Sequence, residues 1–326
     1  MRKVLVIPGD GIGPEITEAT LTVLEAVKSK YGVNIEFIKA LAGDEAYRKL
    51  GKPLPDETLK LITKVDAILK GPVGETAYDV VVKLRMMLNL YANIRPAKSF
   101  KGIPAIREAD LVIVRENVEG VYVGVEYRVG NVAFALKVIT SEGSRRVAEV
   151  AAKIAKNRRK KVTIVHKANV LRITDGLFRD EARKVLEKHG VEVDEMYVDA
   201  AAMELVRDPR RFDVILTMNQ YGDILSDLAA QVAGGLGLAP SANIGSSKAL
   251  FEPVHGAAWD IAGKGIANPT AMVLSAAMML EWLGYANIAK RIWYAIEETF
   301  ASDIKTPDIG GKYSTMEFAK AVASRV

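Results

Sequence analysis

Two aspartates, Asp223 and Asp227, are spaced four residues apart in the segment Tyr221–Asp227. On a helix this spacing places both carboxylates on one face, where like charges repel each other unless a cation lies between them. Because no histidine or cysteine is nearby, an all-oxygen site of this kind suits Mg²⁺ or Mn²⁺. Asp199, at the end of a predicted strand, is the candidate third carboxylate. The alternative is that Asp223 caps its helix and Asp227 is merely solvated.

Three arginines are candidates for binding an anionic substrate. Arg115 directly follows the apolar run Leu111–Val114, so it emerges at the carboxyl end of a strand, where α/β proteins bind ligands. A guanidinium group matches a carboxylate with two parallel hydrogen bonds, so Arg85, Arg95 and Arg115 together would suit a di- or tricarboxylate. Each arginine taken alone is more often part of a surface salt bridge.

A lysine and a tyrosine are candidates for proton transfer. Lys167 follows the strand Val162–Val165, and a lysine held near a metal and arginines has a lowered pKa that suits a general base. Tyr122 lies in a segment predicted to project from the protein, where its hydroxyl could donate a proton. An aromatic residue at an interface explains Tyr122 equally well.

The first glycine cluster resembles a dinucleotide-binding fingerprint but departs from it. Gly9 and Gly11 fit the first two positions, whereas the third glycine falls at Gly13 and the last position is Pro14. That last position needs a small residue for close packing of helix on strand, which proline disturbs. We therefore interpret the cluster as a tight turn with proline at the start of a helix.

These residues need a scaffold, and the sequence predicts an α/β fold. Short β-rich runs such as Lys3–Ile7 alternate with helical patterns such as Pro14–Lys30, which is typical of a substantially parallel sheet. The segment Gly120–Thr140 interrupts the alternation and predicts a projecting β-hairpin or arm. The glycine-rich zone Gly234–Gly245 predicts a crossing between two lobes, and a helix is predicted over Pro269–Leu283 with Asn268 as its cap.

Composition excludes several classes of protein. The 326 residues suit one large or two medium domains, and the absence of cysteine excludes disulfides, thiolate metal sites and iron–sulfur clusters. A net charge of +5 is too mild for a nucleic-acid-binding protein. The basic run Arg158–Lys161 is interpreted as solvated surface. Because the apolar stretch Ala271–Leu280 is too short to span a membrane and Met1–Pro8 too short for a signal peptide, we expect a soluble, cytoplasmic protein. The two glutamines weakly favour a thermophilic source.

In combination these motifs resemble the β-decarboxylating dehydrogenases that act on (2R,3S)-2-hydroxy-3-carboxy acids, the isocitrate/isopropylmalate dehydrogenase family. The resemblance extends over nearly the whole chain, in the blocks Pro8–Glu15, Leu84–Arg85, Leu90–Lys98, Val114–Tyr122, Lys167–Val170, Tyr197–Ala202, Tyr221–Asp227, Gly237–Ser241 and Phe251–Pro269. It implies a two-lobed, non-Rossmann α/β fold with parallel or mixed sheets flanked by helices and a β arm at a dimer interface. It also implies a cofactor-side domain of residues 1–90 plus 235–326 and a central domain of residues 91–234.

The resemblance assigns roles to the candidate residues. It implies that Arg85, Arg95 and Arg115 bind the substrate carboxylates. Asp223 and Asp227, with Asp199 from the other subunit of a homodimer, would hold Mg²⁺ or Mn²⁺ and position the substrate. Lys167, also from the partner, would accept the hydroxyl proton, and Tyr122 would protonate the enolate that remains after CO₂ leaves.

The resemblance also places the cofactor. It implies that NAD binds the loop His255–Asn268, and the residues expected to contact it are His255, Gly256, Ala257, Asp260, Ile261 and Asn268. Asp260 stands where an acidic residue accepts the ribose hydroxyls, and its charge would repel a 2′-phosphate. NAD⁺ is therefore expected in preference to NADP⁺.

The residues preceding Arg85 bear on substrate choice. If Arg85 faces the cleft, helical spacing places Tyr78, Val81 and Val82 on the same face. Two valines form a small apolar pocket suited to an isopropyl group, whereas a third carboxylate facing Val81 would lack a partner. The sequence therefore favours 3-isopropylmalate and a role in leucine biosynthesis. Homoisocitrate or isocitrate, or a broad specificity that includes malate or tartrate, is the alternative. A non-catalytic regulatory subunit is disfavoured because the base, acid and metal residues are all present.

Overall fold

The computed structural model describes all residues from Met1 to Val326. Its twelve strands are β1 (Arg2–Ile7), β2 (Ile35–Lys39), β3 (Ala67–Lys70), β4 (Ala92–Lys98), β5 (Asp110–Glu116), β6 (Glu126–Val129), β7 (Val132–Ala135), β8 (Lys161–His166), β9 (Glu192–Tyr197), β10 (Val214–Thr217), β11 (Pro240–Ile244) and β12 (Ala249–Pro253). Its α-helices are α1 (Gly13–Tyr31), α2 (Asp44–Leu50), α3 (Asp56–Ile62), α4 (Lys83–Met87), α5 (Ser141–Lys156), α6 (Thr174–Lys188), α7 (Val198–Arg207), α8 (Asn219–Ala233), α9 (Thr270–Trp282), α10 (Ala286–Ala301) and α11 (Thr315–Ala323). No helix is both long enough and apolar enough to span a membrane.

Ten strands form one mixed sheet in the order β2-β1-β3-β12-β11-β4-β5-β10-β8-β9. The three pairings at its centre are antiparallel, and the six outer pairings are parallel. The strands on one side of the β11–β4 pairing come from the two ends of the chain, and those on the other side come from its middle. The predicted α/β class is confirmed, and the division into two domains stays a prediction that this arrangement suits.

Helices cover both faces of the sheet and bury its apolar side chains. The largest core cluster contains 38 buried residues and is organised around α9, a helix in which ten of the 13 residues are buried. A helix that is apolar on all sides belongs in the interior, which explains why its sequence shows no polar face. A second cluster of 19 buried residues packs α5 and α6 against β5, β8 and β10.

The predicted arm is confirmed as an antiparallel hairpin of β6 and β7. Val129 pairs with Val132 across the turn at Gly130–Asn131, and a single bridge joins Gly120 to Val138 at the base. All eight residues of the two strands are exposed. A two-stranded hairpin with both faces in water is marginally stable by itself, so the arm is a candidate for contact with another chain.

The turn at the start of α1 is the tight turn that the sequence predicts. Gly9 and Gly11 have positive φ angles of 76° and 58°, a backbone region that favours glycine, and Pro14 stands in the first turn of the helix. A Cβ atom at Gly11 would lie only 2.0 Å from the carbonyl oxygen of Ala257. The first turn therefore packs directly against the segment predicted to hold the cofactor, to which the Ile12 amide also donates a hydrogen bond.

Three local predictions need correction. The residues before Arg85, expected at regular α-helical spacing, form a π-helix over Tyr78–Val82 that continues as α4. Helix α9 begins at Thr270, not at Pro269, although the side chain of Asn268 still accepts a hydrogen bond from the Thr270 amide at 3.0 Å. The glycine-rich zone Gly234–Gly245 is more than a crossing, because its residues 240–244 form β11, which pairs with β4 at the middle of the sheet.

Candidate active site

A cavity of about 470 Å³ opens where the two halves of the sheet meet. It is lined by Lys70, Pro72, Val73, Ala77, Tyr78, Val81, Val82, Arg85, Arg95, Arg115, Val121, Tyr122, Gly124, Glu126, Asp223, Glu252, Pro253, Val254, His255 and Gly256. The three predicted arginines and Tyr122 are thus brought together from α4, β4, β5 and the base of the arm. The clustering fits a site for a small polyanion.

The arginines are held by partners that leave part of each fork available. Arg95 and Arg115 lie on the adjacent antiparallel strands β4 and β5. Arg115 donates from Nε and Nη2 to Oδ1 of Asn219, at 3.1 and 2.7 Å, and Arg95 donates from Nε to Asn93 at 2.6 Å. Arg85 donates from Nη2 to Glu252, whereas its buried Nε has no hydrogen-bond partner. An unpaired buried donor is costly, and no protein group satisfies this one.

The site carries concentrated positive charge. All three arginines are buried, and burial followed by the charges of Arg95 and Arg85 lowers the pKa of Arg115. Asp223 is the counter-charge that Arg115 and Arg95 share, since its Oδ1 accepts from Arg115 and, at 3.3 Å, from Arg95. A ligand with two or more negative charges would relieve the remaining repulsion.

Asp223 and Asp227 lie one turn apart on α8, as predicted, and both approach Nη1 of Arg95, at 3.3 and 3.4 Å. Burial raises the pKa of Asp227. For Asp223 burial also acts to raise the pKa, but Arg115 and Arg95 outweigh it and the net pKa is lowered. Two adjacent carboxylates suit a hard divalent cation. Within one chain no group of three or more acidic, histidine or cysteine side chains is placed to hold a metal ion, because Asp199 stands apart on α7.

Lys167 and Asp199 form a pair outside the cavity. Lys167 follows β8, and its Nζ donates to Oδ1 of Asp199, in the first turn of α7, at 2.6 Å. Neither side chain lines the cavity of its own chain. This placement fits the expectation that both residues serve the site of a second subunit, which the single chain does not test.

Tyr122 lies in a 3₁₀ turn, Val121–Val123, at the base of the arm. Its hydroxyl donates to Oδ2 of Asp223 at 2.9 Å, and the guanidinium of Arg115 lies 5.6 Å from the centre of its ring. Burial, together with the charge of Asp223, raises the pKa of Tyr122. Its hydroxyl therefore stays protonated and directs its proton at Asp223.

The wall beside Arg85 has the composition that the sequence predicts. Tyr78, Val81 and Val82 all line the cavity, although they reach it from a π-helix rather than a regular α-helix. Asp79 instead pairs with Lys83 on the exposed side of the segment. Val81 and Val82 therefore make the surface next to Arg85 apolar and offer no hydrogen bond to a third carboxylate, and the hydroxyl of Tyr78 is the one polar group that the segment Tyr78–Val82 brings to the cavity.

Two buried charged residues were missed by the sequence analysis. Glu252 accepts from Arg85 at 3.0 Å and from Lys70 at 2.8 Å, and both Glu252 and Lys70 are buried in the sheet. Burial alone would raise the pKa of Glu252, but Lys70 and Arg85 lower it to about 2. A lysine ending the apolar strand Ala67–Lys70 was the available signal, since such a charge needs a buried partner.

A second cavity, of about 390 Å³, continues from the first along the predicted cofactor loop. It is lined by Ile12, Leu236, Gly237, His255, Gly256, Ala258, Ile261, Ile266, Asn268 and Asp308, so that His255 and Gly256 belong to both cavities. The buried Nε2 of His255 has no hydrogen-bond partner, and burial lowers the pKa of this histidine. An extended ligand that reaches from one cavity into the other, such as a dinucleotide, fits these residues.

The predicted cofactor residues divide into two groups. His255, Gly256, Ile261 and Asn268 line the second cavity, whereas Ala257 and Asp260 do not. Ala257 instead accepts a hydrogen bond from the Ile12 amide at 2.8 Å and fixes the loop, and Asp260 is exposed nearby. Asp308, which accepts from Asn268 at 3.0 Å, is a lining residue that sequence reasoning missed.

Comparison with known proteins identifies close relatives. The isocitrate/isopropylmalate dehydrogenase family matches residues 3–322. The chain is 54% identical to the 3-isopropylmalate dehydrogenase of Archaeoglobus fulgidus over 99% of both chains. It is 56% identical to that of Saccharolobus solfataricus over 95% of both. The crystal structure of isocitrate dehydrogenase from Methylococcus capsulatus superposes with a TM-score of 0.95 at 45% identity, covering 100% of this chain and 99% of that one.

Proposed function

The chain belongs to the isocitrate/isopropylmalate dehydrogenase family, and from this membership and its cavity we propose that it is an NAD-dependent 3-isopropylmalate dehydrogenase. The reaction is the oxidative decarboxylation of (2R,3S)-3-isopropylmalate to 4-methyl-2-oxopentanoate and CO₂, in leucine biosynthesis. The observation that carries the choice of substrate is the apolar wall of Val81 and Val82 beside Arg85.

The arginines bind and orient the substrate in this proposal. Arg95 and Arg115, anchored by Asn93 and Asn219, present donors to the two carboxylates, and Arg85, which lines the same cavity, is a further donor. Fork-shaped guanidinium groups fix the plane of a carboxylate as well as its position. The hydroxyl-bearing carbon is thereby held towards His255 and Gly256, where the two cavities meet.

Asp223 and Asp227, joined by Asp199 of a second subunit, would hold Mg²⁺ or Mn²⁺, and the loop His255–Asn268 would hold NAD⁺. Bound there, NAD⁺ would supply a hydride acceptor for the hydroxyl-bearing carbon, and the metal ion would supply a Lewis acid for the substrate oxygen. The proton of that hydroxyl passes to Lys167 contributed by the second subunit. After the bond to the departing CO₂ breaks, the hydroxyl of Tyr122 protonates the carbon that carried it.

A homodimer completes each site in this proposal. Lys167 and Asp199 are paired with each other outside the cavity of their own chain, so in this proposal they act in the cavity of a second copy. The arm also leaves apolar residues such as Phe134 and Val132 exposed. A second copy that covers the arm would bring its Lys167 to the cavity.

Isocitrate or homoisocitrate is the alternative substrate, and the isocitrate dehydrogenase at 45% identity is the observation that favours it. Both alternatives carry a third carboxylate where isopropylmalate has its isopropyl group. Against Val81 and Val82 that carboxylate would lose its hydration without gaining a hydrogen bond, which costs several kcal/mol. Isopropyl binding on the same wall is favourable, because it removes apolar surface from water.

The test is to measure initial rates of NADH formation with Mg²⁺ on 3-isopropylmalate, isocitrate, homoisocitrate and D-malate in parallel. We expect the largest kcat/KM for 3-isopropylmalate. Val81→Asn should lower kcat/KM for isopropylmalate at least tenfold and raise that for isocitrate. A wild-type preference for a tricarboxylate would contradict the proposed substrate while leaving the arginine and metal assignments standing.

The proposed base is tested by Lys167→Met, which should lower kcat on the order of 100-fold or more because proton transfer by a positioned side chain contributes that much. Lys188→Met is the matched control, since Lys188 is exposed on α6 and forms no ion pair. Mixing Lys167→Met chains with Tyr122→Phe chains shows whether each active site is built from residues of two chains or of one. Recovery of activity in the mixture is expected only if each site takes its lysine from the other chain.

A further inference from the structure

A buried carboxylate outside the cavity gathers three segments that carry site residues. Asp175, in the first turn of α6, has no exposed surface. Its Oδ2 accepts a hydrogen bond from the backbone amide of Lys167 at 2.8 Å and another from the hydroxyl of Tyr221 at 3.2 Å. Its Oδ1 forms an ion pair with Lys137, at the base of the arm.

The hydroxyl of Thr174, the preceding residue on α6, also donates to Oδ1 at 3.2 Å. The other three donors each belong to a different segment that carries or leads to site residues. Lys167 follows β8, Tyr221 stands on α8 two residues before Asp223, and Lys137 lies just beyond β7. The ammonium of Lys137 also lies 4.7 Å from the ring centre of Tyr221, so the contacts form a closed set rather than a chain. Burial, with the charge of Asp175, raises the pKa of Tyr221, which keeps its hydroxyl a donor.

A buried carboxylate is stable only when every oxygen is paired, and the loss of one partner leaves a costly charge behind. The positions of the three donors are therefore coupled, because displacing one weakens the pairing of the other two. The start of α6 adds a favourable field, as an acidic residue in the first turn interacts well with the helix dipole. Helix capping alone, however, would need neither the lysine from the arm nor the tyrosine from α8.

We infer that Asp175 is a positioning residue that locks the Lys167 turn to the arm and to the helix bearing Asp223. The inference rests on the proposed function for its catalytic meaning. There, the arm and α8 serve the site of their own chain, whereas Lys167 serves the site of the second subunit. Asp175 then links the arm and α8, which line one active site, to Lys167, the base of the other active site.

The first test is hydrogen–deuterium exchange of the full-length protein, which needs no activity. Asp175→Asn should speed exchange both in the turn after Lys167 and at the base of the arm, residues 136–140. Asp180→Asn on the same helix, where Asp180 is exposed and pairs with Arg179 at 2.8 Å, is the matched control. Faster exchange confined to the start of α6 would overturn the inference, because a simple helix cap acts only there.

The second test is kinetic. Asp175→Asn should lower kcat at least tenfold with the KM values for substrate and NAD⁺ changed less than threefold, because the arginines and the cofactor loop are untouched. Lys137→Met should also lower kcat. The fold-decrease in kcat of the double variant should be smaller than the product of the two single fold-decreases. If the two fold-losses in kcat multiply in the double variant, Asp175 and Lys137 act independently, and the inference is contradicted.

Two outcomes are kept separate by this design. If the wild-type protein oxidises none of the four hydroxy acids, the proposed function fails while the exchange experiment still decides whether Asp175 couples the three segments. If Asp175→Asn does not fold, Tyr221→Phe removes one hydrogen bond and keeps the charges paired. Tyr221→Phe should speed exchange after Lys167 by a smaller factor, and no change there would overturn the inference.

Discussion

At the scale of single residues, the cavity depends on ionisable side chains that are buried in the protein. Glu116 is buried beside Arg115 at the end of β5 and accepts hydrogen bonds from the amides of Val118 and Glu119, at 2.9 and 2.8 Å. Burial nevertheless raises the pKa of Glu116 to about 7. This carboxyl group shapes the segment that leads to Tyr122, and its ionisation therefore bears on stability.

The raised pKa of Glu116 predicts a pH dependence. The folded state holds this proton more tightly than the unfolded chain, so Glu116 makes stability fall as pH rises from about 4.5 to about 7, by on the order of 3 kcal/mol. Glu116→Gln lacks this titration. The melting temperature of Glu116→Gln minus that of the wild type should therefore be larger at pH 8 than at pH 5. Thermal unfolding of both proteins at the two pH values measures this difference. A difference that stays constant would contradict the assignment.

Asp260 provides a second prediction at this scale. Its exposed carboxylate lies on the cofactor loop, next to the second cavity, where it would accept the ribose hydroxyls and repel a 2′-phosphate. Asp260→Ala should lower the ratio of kcat/KM for NAD⁺ to that for NADP⁺ at least tenfold. Steady-state kinetics with both cofactors measure this ratio, with Asp180→Ala as the control. An unchanged ratio would remove Asp260 from cofactor selection.

At the scale of elements, the sequence predicts what depends on local spacing. The four-residue spacing of Asp223 and Asp227 defines one face of α8, and Arg115 after four apolar residues marks a strand end. Glu252 and Lys70 could not be paired from the sequence because 182 positions, 252 minus 70, separate them and only the sheet joins them. The π-helix at Tyr78–Val82 was likewise missed, since local pattern cannot distinguish it from an α-helix.

The turn before α1 gives a prediction about an element. Gly11→Ala adds a Cβ 2.0 Å from the carbonyl oxygen of Ala257 and must displace the cofactor loop. Gly32→Ala has a similar φ, 64° against 58°, but no atom within 4 Å, so it isolates the backbone cost. Both variants should lose stability by about 1 kcal/mol from the backbone alone. Only Gly11→Ala should also raise the KM for NAD⁺, at least fivefold, and equal KM values would contradict the supporting role of the turn.

At the scale of the whole molecule, the exposed arm is the feature that one chain leaves unexplained. Tyr127 and Phe134 stack on each other with ring centres 5.2 Å apart, yet they are 54% and 45% exposed. Apolar patches of this kind on a soluble protein mark an interaction surface. In the proposed dimer a second copy covers the arm and completes the active site.

Phe134→Glu should therefore produce monomers and lower kcat at least 100-fold, because the monomer lacks the lysine of the second subunit. Light scattering coupled to size-exclusion chromatography gives the mass, and the rate assay gives the activity. Tyr47→Glu is the matched control, as Tyr47 is an equally exposed aromatic residue, 55% accessible, on α2. A Phe134→Glu monomer with full activity would show that each chain is complete by itself.

The order of strands in the large sheet has a consequence for synthesis of the chain. Ile68 of β3 pairs with Leu250 of β12, and Ile94 of β4 pairs with Ala242 of β11, so both central neighbours come from late in the sequence. As the ribosome extends the chain from its N-terminus, the inner edge of β4 therefore stays unpaired until β11, which ends at Ile244, has emerged. The inner edge of β3 stays unpaired until β12, which ends at Pro253, has emerged. Translation speed and chaperones matter most during that interval, when two apolar strand edges are open to the wrong partner.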